Sequence, residues 1–475
     1  MFTDPEMQHE TKDFRKARYG DIVYWATCGK FRLPTAEEMT TLFTTYSWEY
    51  GFFGEHCQKP AYGFMFTCPP EGEVRTTCYD VRCPKRFSWH DLCDGTFLPL
   101  AFYRTSNGAV HRGTHLLGDE STAAFEEGRS ILADFIGGRA NEIVWTKNAT
   151  EAINLVALAM RNASLDSAAK PSPVKLAAGD NIVITRAEHH ANLVPWQQLC
   201  AATGTELRWL DLHEDGRIDC ETLGVIDDHT RLVAFTHVSN VTGAVSPVEA
   251  IVSRARQCGA LVLLDTCQSS AHLPVDVREL GVDFAVFSSH KMLGPTGIGA
   301  LWGRAELLSQ MPPVLTGGSM IEDVTMESST FMPAPERFEA GSQPIAQIVG
   351  WSAALQYLSG IGMERIAEHE RILTSYMLEG ISGIDGVRVL GPGADKERIG
   401  VVAFAVEGVH PHDVGQVLDS QDIAVRVGHH CAIPLHHFFG VRSSTRASVG
   451  PTTTREEIDR FVDALGQVRS YFGGK

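Results

Sequence analysis

The chain of 475 residues contains no run of the roughly 18 to 20 uninterrupted apolar residues that a membrane span needs. Nor is there the short apolar core of a secretory signal: Asp4, Glu6, Glu10, Lys12, Asp13, Arg15, Lys16 and Arg18 crowd the first twenty positions. Both absences point to a cytoplasmic protein or one in a comparable reducing space. Positive charge is scarce, with 41 Lys and Arg against 58 Asp and Glu, and the net charge of −17 repels a phosphate backbone over most of the surface. Neither nucleic acid nor a membrane is therefore an expected partner. Internal repeats and low-complexity tracts are missing too, which excludes collagen and coiled coil, and the composition is not that of a porin. What remains is an ordinary globular composition, 44% hydrophobic and 21% charged. Eleven cysteines, an odd number, suit free thiols better than a complete disulfide framework, although Cys28, Cys57, Cys68, Cys78, Cys83 and Cys93 all fall in the first hundred residues.

From about residue 110 to 360, short fully apolar runs ending in polar residues alternate with amphipathic stretches. The runs at 181–185, 232–236, 261–265, 284–288 and 299–302 read as parallel strands buried on both faces, and 247–258 reads as one of the crossover helices. An α/β sheet of this type collects its ligands beyond the carboxyl ends of the strands. The polar residues there are Glu188-His189-His190, His237 to Asn240, Asp265 to Gln268 and Ser288 to Lys291. A second unit starts near 360, with a helix at 363–381, a strand at 400–405, a helix near 413–419, a Gly/His-rich loop at 428–437 and a closing helix at 455–471. The expected domains are an atypical segment 1–106 with a compact irregular insertion at about 50–106, a large domain 107–360 and a small domain 361–475. Outside the insertion, a helix is expected at 35–46.

Several residues are placed for chemistry. Asn148-Ala149-Thr150-Glu151 has the N-x-x-E form of a capping box opening an apolar-periodic helix, whose free N–H groups and Thr150 hydroxyl suit a phosphate. Asp265 closes a strand that is otherwise Leu, Val and Leu, so its carboxylate needs a cationic or N–H partner, or serves as a helix cap or structural ion pair. Lys291 follows a buried strand beside the Gly294-Pro-Thr-Gly-Ile-Gly299 turn, where desolvation would free its amine for Schiff-base chemistry. Cys431 sits after Gly428, His429 and His430, in a loop pinned by Pro434, with neighbours that favour a thiolate; the plain alternative is a buried inert thiol.

Taken in order, Asn148 to Asn154, Glu188-His-His-Ala-Asn192, Asp265-x-x-Gln268, Ser288-x-His-Lys291 and Gly294 to Gly299 resemble the class V branch of pyridoxal phosphate enzymes. The Arg426-Val-Gly-His-His-Cys431 segment is similar to the loop of group II cysteine desulfurases and selenocysteine lyases. The likeness runs over about residues 108 to 470. It implies an aspartate-aminotransferase-type fold (pyridoxal phosphate fold type I): a large mixed, mostly parallel sheet domain and a smaller α+β C-terminal domain, usually as a homodimer. It implies pyridoxal 5′-phosphate on Lys291, Asp265 against the pyridinium nitrogen, and His189 stacked on the ring as a proton-transfer group. Gln268 and Asn240 would lie near the phenolic oxygen, and Ala149, Thr150, Ser288 and His290 at the phosphate. Gly317-Gly318 and 339–342 would reach the neighbouring subunit's site, with Ser342 where relatives present Thr to the phosphate.

Arg446, with Asn240 and Arg426, would bind the substrate, L-cysteine or a related amino acid. Cys431 would take its sulfur as a persulfide and pass it to a protein or small-molecule acceptor, leaving alanine. Selenocysteine lyase and cysteine sulfinate desulfinase are alternatives within the family, and a partner-binding scaffold lies outside it. The sequence departs from the family near its start. Residues 22–30 lack the usual Asp-Asn-Ala-Ala-Thr, and about fifty-five extra residues precede the motif Asn107-Gly-Ala-Val-His111-Arg112-Gly-Thr-His115. Within the insertion, Cys68, Cys78, Cys83 and Cys93, near His56, Cys57 and His90, form a candidate Zn²⁺ site without a C-x₂-C knuckle; packed free thiols are the other reading.

Overall fold

The computed structural model describes residues 47–56, 59–67, 110–111, 116–166 and 171–472. The chain separates into two units, Met1–Leu98 and Pro99–Lys475. In the first, β1 (Ser47–His56) and β2 (Lys59–Thr67) form an antiparallel ribbon with Ser47 opposite Thr67. The expectation of irregular structure from residue 50 is corrected here. Trp48, Tyr50 and Phe52 stand in register with Phe66, Phe64 and Tyr62, so aromatics recur at every second position, the period of a strand. The helix expected at 35–46 and the four cysteines of the candidate Zn²⁺ site lie outside the described residues.

The second unit is built on a seven-stranded sheet, ordered β3-β9-β8-β7-β6-β4-β5. Its strands are β3 (Ile143–Thr146), β4 (Asn181–Thr185), β5 (Glu206–Leu210), β6 (Thr230–Thr236), β7 (Leu261–Asp265), β8 (Phe284–Ser288) and β9 (Gly299–Gly303). Strands β4, β7, β8 and β9 are buried along their whole length, which is why they read as unbroken apolar runs. The exposed edge strand β5 carries no such run. One expectation fails: β9 runs antiparallel to both neighbours, β3 and β8. The link 289–298 between β8 and β9 is shorter than the dozen or so residues that a parallel crossover requires, so the chain turns straight back.

Successive strand residues feed opposite layers. Val183, Val233, Val262 and Phe287 pack with Phe125 and Leu132 of α1 (Leu116–Phe135). Ile182, Leu232, Leu263 and Val286 pack with Ile153, Val156 and Met160 of α2 (Ala149–Leu165) and Trp196 of α3 (Val194–Thr203). Ile251 of α4 (Val248–Gln257) and Trp351 of α5 (Ile345–Ile361) complete the first layer. Between β9 and α5, β10 (Ile321–Val324) and β11 (Ser329–Phe331) form a small hairpin. The loop before α5 is tied down by a buried pair: Arg129 in α1 donates to both Glu339 oxygens, at 2.8 and 2.9 Å, and the Trp145 N–H adds a third bond.

A four-stranded antiparallel sheet follows, ordered β12-β13-β15-β14: β12 (Val387–Leu390), β13 (Val401–Val406), β14 (Arg426–Gly428) and β15 (Ser444–Ser448). It is covered by α6 (Met363–Ser382), α7 (Pro411–Asp419) and α8 (Arg455–Tyr471), which contribute Leu373, Val414, Leu418, Phe461 and Leu465 to one core. The span expected to be a loop, 428–437, contains a short helix instead, Ile433–Phe438, begun by Pro434 in the first turn, where a missing N–H does no harm.

Candidate active site

Thr185, Thr236, Asp265 and Ser288 end the parallel strands β4, β6, β7 and β8, so their side chains and the turns after them share one edge of the sheet. Thr236 stands in register with Asp265, and the His237 N–H donates to the Asp265 carbonyl at 2.9 Å. Asp265 is only 6% exposed. Its Oδ1 accepts the Cys267 N–H at 3.0 Å, and no described residue pairs with it as a salt bridge. Lys291 ends the single-turn helix Ser289–Lys291 after β8, half-buried, its amine without a hydrogen bond or ion pair among the described residues.

His189 lies within electrostatic range of both groups. Burial, together with the charge of Lys291, holds its pKa down to about 4 despite the opposing pull of Asp265, so its ring is neutral at pH 7. Its Nδ1 accepts the Ala191 N–H at 3.0 Å, and this hydrogen-bond pattern assigns the proton to Nε2. The residue before it, Glu188, is fully buried and accepts from the Thr185 hydroxyl (2.6 Å), the Asn192 amide (2.6 Å) and the Thr236 N–H (3.0 Å). Burial outweighs these donors and pushes its pKa up to about 8. Gln268 is the N-cap residue of the short helix Ser269–His272, directly after the Asp265 turn.

The start of α2 meets the same edge. Asn148 caps it by accepting the Glu151 N–H at 3.0 Å, but the box expected from sequence closes differently. Glu151 accepts the N–H of Lys147, at 2.6 Å, rather than that of Asn148, and gains the Lys147 ammonium at 3.7 Å. The Ala149 N–H donates to the Ser288 hydroxyl at 3.0 Å, which joins the helix start to the end of β8. Gly299 allows this approach, because a Cβ there would fall 2.6 Å from the Cα of Asn148. Thr150, on the first turn, opens into a cleft of about 590 Å³ that Ser342 also lines. His290 sits in the Ser289–Lys291 turn, its pKa lowered by burial and by Lys291.

The second wall comes from the C-terminal sheet. Arg446 of β15 stands directly opposite Arg426 of β14. The Nη1 of Arg446 donates to the Asn240 carbonyl at 2.8 Å, its Nε is buried without a partner, and no carboxylate faces it among the described residues. Burial and the neighbouring Arg426 pull its pKa down to about 10. A half-buried guanidinium in this state suits a carboxylate. Asn240 ties this arginine to the cysteine loop, since its side-chain amide donates to the His430 carbonyl at 2.7 Å.

The loop itself is tightly turned, with positive φ at Gly428 (118°), His430 (49°) and Cys431 (58°). The His190 N–H donates to the Cys431 carbonyl at 2.7 Å, and the Ile433 N–H donates to His190 Nε2 at 3.1 Å. On the inner side, His436 Nδ1 bonds the Ala432 carbonyl at 2.9 Å and must carry the proton. Its Nε2 then accepts from the Ser444 hydroxyl (2.9 Å), and Ser444 accepts from His430 Nε2 (3.1 Å). This assigns His430 the Nε2–H form, and its Nδ1 remains a buried acceptor without a partner. Burial drives the His430 pKa down to about 3 and lowers those of His190 and His436. His190, His430 and His436 are thus neutral rings that brace the loop, and cationic charge enters through Arg426 and Arg446.

The structure therefore gathers Lys291, Asp265, His189, Asn240, Gln268, Ser288, Ala149, Arg426, Arg446 and Cys431 around the strand ends, with Thr150 and Ser342 meeting in the adjoining cleft. Of the motif at 107–115, only residues 110–111 are described. Sequence reasoning named Glu188 and His190 at the strand end without giving them a bracing role, and missed Ser444 and His436. The sequence signal for the first pair was the unbroken Glu188-His189-His190 triplet after a strand end; Ser444 and His436 belong to a contact between β15 and a helix that no local pattern announces.

Comparison with known proteins agrees with this geometry. The aminotransferase class-V family matches residues 100–461. A Mycobacterium leprae protein named "Probable cysteine desulfurase 2" is 53% identical over 372 residues, 78% of this chain and 87% of the relative. A cysteine desulfurase of Haloferax volcanii is 44% identical over 374 residues, 78% of this chain and 85% of the relative. Among solved structures, the apo cysteine desulfurase of Thermococcus onnurineus superposes with a TM-score of 0.74 at 37% identity, covering 79% of this chain and 90% of that one.

Proposed function

The chain belongs to the aminotransferase class-V family, and from that premise we propose that it is a pyridoxal 5′-phosphate-dependent cysteine desulfurase, converting L-cysteine to L-alanine with transfer of the sulfur to Cys431. One observation carries the reading: Asn240 links the anion-seeking Arg446 on one side to the Cys431 loop on the other, at the strand edge that holds Asp265 and Lys291. The donor set fits the cofactor. Among the described residues, Asp265 offers a buried carboxylate without a cationic partner, Lys291 an unengaged amine, and Ser288 with the start of α2 a phosphate cradle. Bound there, the cofactor supplies a sink for electrons from the bonds at the substrate Cα.

The protein's own groups do the rest. Asp265 would hold the pyridinium N–H, His189 would present its Nε2–H to the ring, and Gln268 and Asn240 would serve the phenolic oxygen. Thr150 and His290 would join Ser288 and Ala149 at the phosphate, and Ser342 would serve the phosphate of the neighbouring subunit. Arg446, assisted by the charge of Arg426, receives the substrate carboxylate in a two-pronged pair that fixes the orientation of Cα. The Lys291 amine moves the α-proton. The Cys431 sulfur attacks the substrate sulfur: the S–S bond forms as the substrate C–S bond breaks, the electron pair of that bond stays on the substrate side, and Cβ takes up one proton, equivalent to the one the Cys431 thiol gives up. The products balance as L-alanine and a Cys431 persulfide, ready for an acceptor protein or small molecule.

Residues 361–475 would form the small domain that carries the thiol, and a homodimer would bring 317–318 and 339–342 to the neighbouring site. No helix among the described residues is long and apolar enough to cross a membrane; the cytoplasm suits a persulfide carrier. Borohydride reduction of the holoenzyme followed by peptide mapping tests the cofactor's placement. The label should lie on Lys291, and a loaded enzyme with Lys291 unlabelled would overturn the reading.

A further inference from the structure

The Cys431 loop closes through a single turn bond of its own, the Ala432 N–H to the His429 carbonyl at 2.8 Å. Inside that turn His430 and Cys431 both sit at positive φ, 49° and 58°, a conformation that disfavours residues with a Cβ. Outside contacts add to the turn bond in holding this strained backbone. Two of them, the Asn240 bond to the His430 carbonyl and the His436 bond to the Ala432 carbonyl, touch the loop at one point each. His190 touches it at two: its N–H donates to the Cys431 carbonyl at 2.7 Å, and its Nε2 accepts the Ile433 N–H at 3.1 Å. The two bonds bracket Ala432, so a single residue fixes the Cys431–Ala432 peptide, on the carbonyl side of the thiol-bearing residue, and the peptide that follows it.

We propose that His190 is a positioning residue for sulfur transfer, clamping the Cys431 peptide to the turn that carries His189. The proposal rests on the reading of Cys431 as the sulfur-accepting thiol. The clamp is itself rigidly mounted. Asn192, two residues on in the same turn, donates to Glu188, and Glu188 is bonded to Thr185 at the end of β4 and to Thr236 at the end of β6. The chain of contacts thus runs from the sheet through Glu188 and the 189–192 turn to the thiol loop. Accepting the Ile433 N–H requires an unprotonated Nε2, which agrees with the lowering of the His190 pKa by burial and by His429, whose ring lies 6.1 Å away. Since His189 is the next residue in the chain, any slack at His190 is felt on the cofactor side and the thiol side together.

The test compares His190→Leu, which removes the acceptor, with His190→Gln, whose side-chain carbonyl restores one; both keep the backbone bond. Three quantities are read in the holoenzyme: hydrogen exchange at the Ile433 amide, the rate of Cys431 alkylation by iodoacetamide, and kcat and KM for L-cysteine. In His190→Leu, Ile433 exchange and Cys431 alkylation should quicken, and kcat should fall about tenfold with KM within about twofold, the scale of one lost hydrogen bond. His190→Gln should recover most of each change. Unaltered Ile433 exchange and kcat in the leucine variant would overturn the clamp, as would a glutamine variant no better than leucine. Exchange and alkylation need no turnover, so they judge the clamp even if the desulfurase reading itself fails.

Discussion

Replacing Arg446 by methionine tests the anion site directly. Of the guanidinium donors, Nη1 is committed to the Asn240 carbonyl, while Nε is buried and bare. The Nε/Nη2 edge is therefore free to take a carboxylate in a bidentate pair. Two charge-assisted bonds contribute about 1.5–3 kcal/mol each, so losing both costs ~3–6 kcal/mol of transition-state binding, about a hundred- to ten-thousand-fold in kcat/KM. The fold should tolerate the change. Burial and Arg426 already disfavour the charge at position 446, which offsets the loss of a donor to Asn240. The assay pairs L-cysteine with cysteamine, which has the thiol and amine but no carboxylate. Wild-type protein should prefer L-cysteine strongly, and Arg446→Met should lower turnover of L-cysteine to near that of cysteamine. A variant that kept the wild-type preference would refute the assignment, and Arg446→Lys should recover only part of it, because an ammonium cannot reproduce the fork.

Two other perturbations probe the supports of the site. Glu188 has its folded pKa raised to about 8 from an ordinary 4.5, so its stabilising contribution is complete below pH 4.5 and is lost as pH rises through 8. The unfolding free energy of the wild type, from denaturant titration, should fall across that window by up to about 1.4 kcal/mol per pH unit, and Glu188→Gln should flatten the profile; an unchanged slope would exclude Glu188 as its source. At Arg129, burial works against the charge and Glu339 more than offsets it, raising the pKa. Glu339→Ala should then destabilise the protein by about 3 kcal/mol in urea unfolding, since it leaves the buried cation with only the more exposed Glu126 as a carboxylate partner; a loss below 1 kcal/mol would show the pair to be dispensable.

The parts of this fold that could be read from sequence are those where burial is continuous along the chain. Strands β4, β7 and β8 are buried at every residue, so their bounds follow from apolar runs, and Asp265 and Ser288 mark where those runs meet polar chemistry. Strand β5 was not legible, because an exposed edge strand needs no apolar run. The direction of β9 was hidden because an apolar run carries no sign; only the length of the preceding link distinguishes reversal from crossover. The ribbon at 47–67 was visible in principle, through aromatics at alternate positions, but Gly51, Gly54, Pro60 and Gly63 among them obscured the period. The chemical residues Lys291, Cys431 and Arg446 announced themselves through motif context. Their positioning did not, because Glu188, His190 and Ser444 act through contacts between segments far apart in sequence, and the neutrality of His190, His430 and His436 arises from burial that composition does not reveal.

The most direct measurement reacts the holoenzyme with one equivalent of L-cysteine, traps the protein thiols, and maps the sulfur by mass spectrometry while alanine is counted. The account predicts one alanine per extra sulfur atom on Cys431, and neither product in Cys431→Ala despite its retained cofactor absorbance. Alanine formed at the wild-type rate in that variant, or the extra sulfur found on Cys267 or another thiol instead, would contradict it.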